Sequence, residues 1–202
     1  HTAVSGILPP ALKVLRGRLP DLSLELGTGL THELEAHVRR RRIDAAIISE
    51  PEVIAADMRF TPFVTERLVV IAPENCPGKT HEEVLTSQPY IRFNRAARVG
   101  RMIERHLANR EIKVRTKMEI DTLEGVLALV ANGLGVTVAP DVRAVHPFPT
   151  NLRVLPFGDE MASRTLGLLE LSDNPRTRFV ERLLEALQEV SAPSSTPAAV
   201  SA

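Results

Sequence analysis

The order in which strand and helix patterns alternate along the chain constrains its fold more than any other feature. The first 50 residues predict a helix over 4–19, a strand over 21–27, a helix over 30–40 and a strand over 43–49. Apolar residues recur at helical spacing in the first and third segments and alternate with polar ones in the second. This alternation is typical of an α/β protein with a parallel sheet.

The middle of the chain repeats that alternation and predicts a second sheet. Strands are expected over 58–64 and 67–73, joined by Thr65 and Glu66, and over 89–93, 113–120, 135–140, 151–157 and 164–171. Helices are expected over 81–87, 99–109 and 122–132, the last with a capping box of Asp121 and Glu124 and a stop at Gly133. A final amphipathic helix is expected over 175–190.

The position of that final helix predicts two lobes. A chain that builds one lobe, leaves it, builds a second and returns has two crossings and a cleft between the lobes, where small ligands usually bind. We expect residues 1–65 to begin lobe I, 66–165 to form lobe II and 166–190 to return to lobe I. The small, polar, proline-containing tail 191–202 is expected to be disordered.

Charge and cysteine content narrow the function classes. The chain has 25 basic and 25 acidic residues among 202, so no net charge draws it to DNA or to an anionic membrane. No apolar run approaches the roughly 18 residues of a membrane span. The single cysteine, Cys76, excludes an internal disulfide framework and fits a reducing cytoplasm.

Sequence motifs for catalysis, metals and nucleotides are broken or missing. Gly27-Thr28-Gly29 resembles the start of a dinucleotide fingerprint, but His32 stands at the third glycine position. The pair His32 and His37 misses the metal-binding HExxH spacing by one residue, so the two rings diverge on a helix. Cys76 lies in a turn-like segment without a histidine nearby in sequence. We therefore predict no enzyme, no metal and no cofactor.

Strand-to-helix junctions offer a different chemistry. Thr28 and Gly29 follow one predicted strand, Arg95 and Arg98 follow another, and Thr122 opens a later helix. Backbone N–H groups at helix starts, hydroxyl groups and guanidinium groups together suit a small organic anion. The alternatives remain open at each junction: a plain N-cap for the threonines and for Asp121, and an exposed loop for the arginines. Thr2 and Ser5 precede a helix and supply a fourth candidate junction.

Two segments resemble a known family. The stretch "SGILPPALKVLRGRLPDLSLELGTGLTHELEAHVRRRRIDAAI" is similar to the opening of the effector-binding domain of LysR-type transcriptional regulators. The stretch "EIDTLEGVLALVANGLGVTVAPD" is similar to a later segment of the same domain. The resemblance covers residues 2–190. It implies a two-lobed, type-2 periplasmic-binding-protein-like α/β fold with an effector cleft between the lobes, joined by two crossover segments.

The resemblance also implies function. It implies a cytoplasmic regulator that forms homodimers and tetramers, that binds a small, often carboxylate, effector, and that contacts DNA only through a winged helix-turn-helix expected outside these residues. It implies contact between the helix at about 5–18 of one subunit and that at about 100–109 of another. The effector-binding positions it implies are Thr2, Thr28, Gly29, Asn94, Arg95, Arg98, Val99, Asp121 and Thr122.

Two departures and three alternatives accompany this interpretation. The family's first strand, before the position of Thr2, is not among these residues, and Arg42 stands where the family often has glycine. A periplasmic solute receptor of a transporter would use the same fold. An enzyme on a hinged two-lobed fold would carry a cofactor cysteine or a catalytic acid in the cleft, and a covalent adduct seen by mass spectrometry would support it. A purely structural oligomerisation domain would bind no ligand.

Overall fold

The computed structural model describes residues 2–158 and 162–192, which form seven helices and seven strands. The helices are α1 (Thr2–Ser5), α2 (Leu8–Arg18), α3 (Thr31–Arg39), α4 (His81–Ser87), α5 (Arg98–Asn109), α6 (Leu123–Ala131) and α7 (Thr177–Ser191). The strands are β1 (Ala46–Ser49), β2 (Met58–Pro73), β3 (Pro89–Phe93), β4 (Arg115–Ile120), β5 (Thr137–Pro140), β6 (Leu152–Pro156) and β7 (Ser163–Leu171). Most of the tail predicted to be disordered lies outside the described residues.

Strand β2 runs through both halves of the molecule. Its first part pairs antiparallel with β7, from Met58 opposite Leu171 to Arg67 opposite Ser163. Its last part lies between β5 and β6, so that Val70 faces Val138 on one side and Leu155 on the other. The prediction of two strands joined by Thr65 and Glu66 is therefore wrong. Both residues keep strand pairing with β7, which makes β2 one strand of 16 residues.

Two separate cores define the two lobes. In the first lobe, β7 lies between β1 and β2. Leu168 of β7 packs with α2 and α7, whereas its neighbour Leu169 packs on the opposite face with Val38 of α3. Successive residues of a strand point to opposite faces, so this sheet is covered on both sides. The core of the second lobe draws on residues between Leu68 and Ala162.

The second lobe continues the sheet beyond β5. The Ile91 N–H donates to Val136 O at 2.8 Å and the Val136 N–H donates to Pro89 O at 2.9 Å, which places β3 beside β5. Strand β3 pairs in parallel with β4, and helices α4, α5 and α6 supply apolar residues to the core on this sheet. The two lobes are joined only through β2 and β7 among the described secondary structure, so the predicted two-lobed α/β fold is confirmed. The boundaries at 65/66 and 165/166 stay a prediction.

The first predicted helix is divided. Residues 4–19 were expected to form one helix, but α1 ends at Ser5 and α2 begins at Leu8. Pro9 and Pro10 occupy the start of α2 and have no N–H to donate to carbonyl groups one turn earlier, so the hydrogen-bond ladder cannot run through them. The division turns α1 into a short separate element.

The strand expected over 21–27 is not formed in the described structure. Leu24 and Leu26 of this segment are 47% and 58% exposed, as in a chain with no neighbouring strand to cover it. A strand pattern yields a strand only where a partner supplies its hydrogen bonds. The remaining predicted elements are present with ends shifted by a few residues.

Candidate functional site

The end of α1 and the residue that follows it lie against the second lobe. A Cβ atom placed on Gly6 would lie 3.5 Å from Cγ2 of Val145, which belongs to the loop after β5. Val145 packs against the cores of both lobes. The Ser5 side chain also lies near enough to Glu124, in the first turn of α6, to lower the pKa of its carboxyl. The beginning of the first lobe thus meets two elements of the second.

The Glu124 carboxyl is held in its charged form at this contact. Burial alone would raise its pKa, but the nearby Ser5 side chain, its own backbone N–H and the neighbouring His146 together lower the pKa below the usual range. A carboxylate of the protein therefore lies between the lobes. Glu124 was predicted only as part of a capping box.

A buried ion pair connects the two crossing strands. The Arg164 Nε–H on β7 donates to Glu66 Oε2 on β2 at 2.6 Å, and the two side chains are 3% and 8% exposed. A second Arg164 nitrogen, Nη2, donates to the Thr2 hydroxyl oxygen at 2.9 Å. Thr2 was predicted from the sequence as an effector contact, whereas Glu66 and Arg164 were not. The sequence offered no clear signal for this pair, because each of the two strands carries other charged residues as well.

The junction that contains Thr28 and Gly29 differs from the predicted N-cap. Helix α3 begins at Thr31 with Leu30 as its N-cap residue, and the Leu30 N–H donates to Glu33 Oε2 at 2.7 Å. Thr28 is exposed, and a Cβ on Gly29 would lie 3.1 Å from the same Glu33 oxygen. A carboxylate from within α3 therefore already accepts a backbone hydrogen bond at this helix start.

The second-lobe loop before α5 is built by its own hydrogen bonds. Asn94 Oδ1 accepts from the Ala96 N–H at 3.0 Å and from the Ala97 N–H at 3.2 Å, which fixes the turn into the helix. Arg95 makes a two-nitrogen contact with Glu119 on β4, at 3.1 Å from Nε and 2.9 Å from Nη2. This guanidinium holds the pKa of the Glu119 carboxyl below its usual range. The exposed Arg95 side chain is thus engaged on its own lobe.

Arg98 lies at the start of α5 and turns toward the first lobe. Its Nη2 atom is 3.8 Å from Oε1 of Glu52, which belongs to the loop after β1, and Arg105 Nη2 is 3.6 Å from the same oxygen. The Arg98 Nε atom is buried and has no hydrogen-bond partner among the described residues. Val99, the next residue, is 4% exposed and packs in the second-lobe core, so its side chain supplies packing.

Helix α6 starts at a threonine cap. The Gly125 N–H donates to the Thr122 hydroxyl oxygen at 3.3 Å, and Thr122 is the N-cap residue. The predicted capping box of Asp121 with Glu124 is not formed: Asp121 precedes the cap and is exposed. Two of the predicted site residues, Thr2 and Arg98, contact groups outside their own segments at the cleft. Thr28 and Asp121 are exposed.

A cavity of about 490 Å³ lies elsewhere, between the C-terminal part of α2 and helix α7. It is open and is lined by Arg18, Leu19, Arg182, Glu185 and Glu189. Arg18 pairs with Glu189 and Arg182 pairs with Glu185, so its charges are already matched. In the described part of the chain, no group of three potential ligands is placed to hold a metal ion. No described helix is both long and apolar enough to cross a membrane.

Two lobes joined by paired crossing strands, with cations and hydroxyl groups at the cleft, define a ligand-binding module of the type-2 periplasmic-binding-protein-like class. Residues 1–192 match the model of the LysR substrate binding domain, and the chain belongs to this family. The resemblance noted from the sequence is therefore confirmed.

The relatives of the chain are regulators. It is 30% identical over 141 residues to the HTH-type transcriptional regulator CzcR of Bacillus subtilis, which covers 69% of this chain and 47% of that protein. It is 27% identical over 190 residues to the HTH-type transcriptional regulator YofA of Bacillus velezensis, covering 93% of this chain and 64% of that protein. The chain spans about half the length of the CzcR proteins it matches. The family is one of transcriptional regulators, which agrees with the prediction that the chain is not an enzyme.

Solved structures share the fold. The reduced OxyR regulatory domain of Pseudomonas aeruginosa aligns with a TM-score of 0.76 at 26% identity, covering 92% of this chain and 90% of that one. The effector binding domain of a BenM variant gives a TM-score of 0.78 at 18% identity, with 95% and 91% coverage. The effector binding domain of QuiR, solved in complex with shikimate, gives 0.76 at 19% identity, with 94% of each chain covered.

Proposed function

We propose that the chain is the effector-sensing and oligomerising part of a cytoplasmic LysR-type transcriptional regulator, and that its effector is a small organic anion bound between the lobes. The LysR family and the named regulators among its relatives support the regulatory role. The same relatives do not favour the alternative of a transport receptor. The helix-turn-helix of the intact regulator would bind DNA, and the lobes would report the presence of the effector to it.

One observation carries the choice of an anion. Arg98 presents a guanidinium at the cleft, with a buried Nε–H that lacks a partner among the described residues. A buried donor without a partner costs about 1–3 kcal/mol, and a ligand carboxylate accepts two hydrogen bonds from a guanidinium in one plane. The ion contact to Glu52 at 3.8 Å is too long to be a hydrogen bond, so it does not satisfy this donor.

Other predicted residues complete the proposed site. The Thr2 hydroxyl lies on the first-lobe side, and Thr28 with Gly29 stands at the junction before α3. Asn94, Arg95 and Val99 shape the second-lobe loop, and Asp121 with Thr122 shapes the start of α6. In this proposal Asn94, Val99 and Thr122 act by holding the backbone in place, while Thr2 and Arg98 touch the ligand.

The proposed mechanism is a population shift. The lobes approach each other at Glu52 with Arg98 and at Ser5 with Glu124, so carboxylates of the protein itself lie at the cleft. An anion that binds one lobe arrangement better than another shifts the balance by its difference in affinity. In the intact dimer or tetramer, this shift would change the spacing of the DNA-binding segments.

The test is a thermal-shift screen of the chain against mono- and dicarboxylates, with shikimate included, followed by calorimetry on any hit. A ligand that binds only the native state adds about 2.7 kcal/mol at 100 times its dissociation constant. We expect Arg98→Gln to weaken binding of the hit by about tenfold or more, the scale of one charge-assisted hydrogen bond.

Arg105→Gln is the matched control. Arg105 lies on the same helix and contacts the same glutamate, but its side chain is 68% exposed. We expect its removal to change affinity by less than about threefold, as for a surface charge. Equal losses in the two variants would indicate a general effect of charge, and an unchanged affinity in Arg98→Gln would contradict the assignment of Arg98.

A further inference from the structure

The Thr2 hydroxyl differs from an ordinary exposed threonine because one of its lone pairs is occupied by a fixed cation. Arg164 Nη2 donates to it at 2.9 Å, and Arg164 is itself held by Glu66 at 2.6 Å. A guanidinium has donors only and does not lose its proton in proteins, so the direction of this hydrogen bond is fixed. The hydroxyl must therefore act as the acceptor toward Arg164.

The proton of that hydroxyl has no acceptor among the described residues. A threonine hydroxyl has one proton to donate and two lone pairs, and Arg164 is the described side chain that Thr2 Oγ1 bonds. Ser5, the last residue of this short helix, and Gly6, which follows it, lie near Glu124 and Val145 of the second lobe. The uncommitted O–H thus belongs to a segment that lines the cleft.

A second trio in the same lobe shows what a structural version of this arrangement looks like. Arg59 Nη2 donates to Glu170 Oε1 at 2.7 Å and to the Thr177 hydroxyl oxygen at 2.5 Å, and Thr177 is also the first residue of a helix. There, however, Thr177 donates its proton back to Glu170 Oε1 at 3.2 Å. The Thr177 hydroxyl thus both accepts and donates within its trio, whereas the Thr2 hydroxyl only accepts among the described residues.

We propose that Arg164, held by Glu66, is a positioning residue that fixes the Thr2 hydroxyl as a hydrogen-bond donor into the cleft, so that the first lobe selects ligands presenting an oxygen acceptor. This inference rests on the proposed function and extends it to ligand selection on the first-lobe side. A carboxylate or carbonyl oxygen accepts from Thr2, and an ammonium group, which has donors only, does not.

The Glu66–Arg164 pair also links the proposed ligand contact at Thr2 to the two strands that connect the lobes. Glu66 and Arg164 face each other across β2 and β7, the two strands that connect them. Because the ion pair is buried, separating its two partners is costly, which favours keeping these two strand positions together. Thr2 is therefore one hydrogen bond away from a pair that spans both connecting strands.

The test compares two probes, acetate and methylammonium, by NMR titration at constant ionic strength. Amide resonances of residues 2–6 report the first-lobe side, and those of Arg98 and Val99 report the second. We expect residues 2–6 to bind acetate about tenfold more tightly than methylammonium. The double variant Glu66→Gln/Arg164→Gln, the neutral pair, removes one negative and one positive charge. The amide that replaces the Arg164 guanidinium can accept a hydrogen bond as well as donate one. We expect this neutral pair to reduce the preference for acetate over methylammonium to about threefold or less.

The controls separate positioning from packing. Arg59→Gln/Glu170→Gln makes the same change in the structural trio and is expected to keep the wild-type preference. Arg164→Lys keeps a cation that can only donate hydrogen bonds, and we expect it to restore most of the wild-type preference for acetate. Circular dichroism and urea unfolding check that each variant folds. If the neutral Glu66/Arg164 pair does not fold, Thr2→Val against Thr2→Ser tests whether the hydroxyl sets the preference, because only serine keeps it, and equal preferences would contradict the inference.

The possible outcomes distinguish the two levels of the argument. If the neutral pair keeps the wild-type preference, Arg164 does not position Thr2 and the inference is wrong. If acetate moves the resonances of Arg98 and Val99 but not those of residues 2–6, the inference is wrong and the anion site stands. If acetate moves neither set, the proposed function is wrong as well.

Discussion

Gly100 and Gly17 both lie within helices, but their surroundings predict opposite effects of an added methyl group. A Cβ on Gly100 of α5 would come within 2.0 Å of the Asn94 carbonyl oxygen, whereas Gly17 of α2 has no heavy atom within 4 Å. We expect Gly100→Ala to destabilise the fold by about 1–3 kcal/mol through overpacking. We expect Gly17→Ala to stabilise it by about 0.5–1 kcal/mol through helix propensity.

Urea unfolding of the two variants beside the wild type measures both changes. Because Asn94 builds the loop that leads to Arg98, a displaced Asn94 carbonyl would also weaken the proposed anion site. A stable Gly100→Ala protein with unaltered unfolding would show that the loop gives way without cost, and it would contradict the close approach of the backbone at this point.

Single residues also show what sequence reasoning can predict about the site. Thr2 and Arg98 were predicted because they stand beside helix starts, a feature of local sequence. Glu66 and Arg164 were not, since their pairing depends on the register between strands that lie 98 residues apart. Asp121 was expected to cap α6, but the hydroxyl of Thr122 does so instead. Adjacent residues with similar capping ability are not distinguished by spacing alone.

At the scale of the elements, the loop after β5 contains a salt bridge and also reaches the contact between the lobes. Asp141 accepts from Arg143 Nε and Nη2, each at 2.8 Å, and the loop continues to Val145 at the cleft. The hydrogen bonds from the Arg143 side chain lower the pKa of the Asp141 carboxyl, burial opposes them, and the Arg143 backbone N–H and charge add to the lowering. The salt bridge therefore stabilises the folded chain most when Asp141 is charged.

The pH dependence of this contribution has a definite sign. A carboxyl whose folded pKa lies below its unfolded value stabilises the fold above the unfolded pKa, about 3.8, and loses that effect as pH falls through the folded value. Arg143 is half exposed, so we expect Arg143→Gln to cost under about 1 kcal/mol at neutral pH. The difference from wild type should stay constant from about pH 6 to about pH 5 and shrink below about pH 4 in urea unfolding.

Lys13→Gln removes the same charge from an exposed position on α2 and serves as the control. Its unfolding free energy should follow the wild type within about 0.5 kcal/mol over that range. A difference between Arg143→Gln and wild type that stays constant or grows below about pH 4 would contradict the role of Asp141.

Some elements are predicted well from their own sequences and others are not. The difference depends on whether an element carries its own signals or needs a neighbouring strand. Helices α4 and α5 carry their own signals, such as the capping box of Thr80 and Glu83, and were predicted almost to the residue. The strand at 21–27 has an equally clear pattern but no strand beside it in the described structure. Conversely, the sequence predicted two strands in place of β2, divided at Thr65 and Glu66. Polar residues within a strand resemble a turn in sequence, and only their pairing with β7 shows that the strand continues.

At the scale of the whole molecule, the proposed oligomer makes a steric prediction on helix α2. Its buried side consists of Leu8, Ala11 and Leu15, so Lys13 and Gly17 lie on the exposed side. If that side meets α5 of a second copy, the open space at Gly17 is filled in the oligomer. A large side chain there fits the monomer and collides only with a partner.

We therefore expect Gly17→Arg to weaken self-association by about tenfold or more, since it adds bulk and also a positive charge opposite Arg101 and Arg105 of α5. Sedimentation velocity over a range of protein concentrations measures the effect. Gly27→Arg is the matched control: that glycine also has no heavy atom within 4 Å, but it lies outside α2. Identical association of the two variants would show that the copies meet through another surface, and lobe motion would then reach the DNA-binding segments by a route that does not pass through α2.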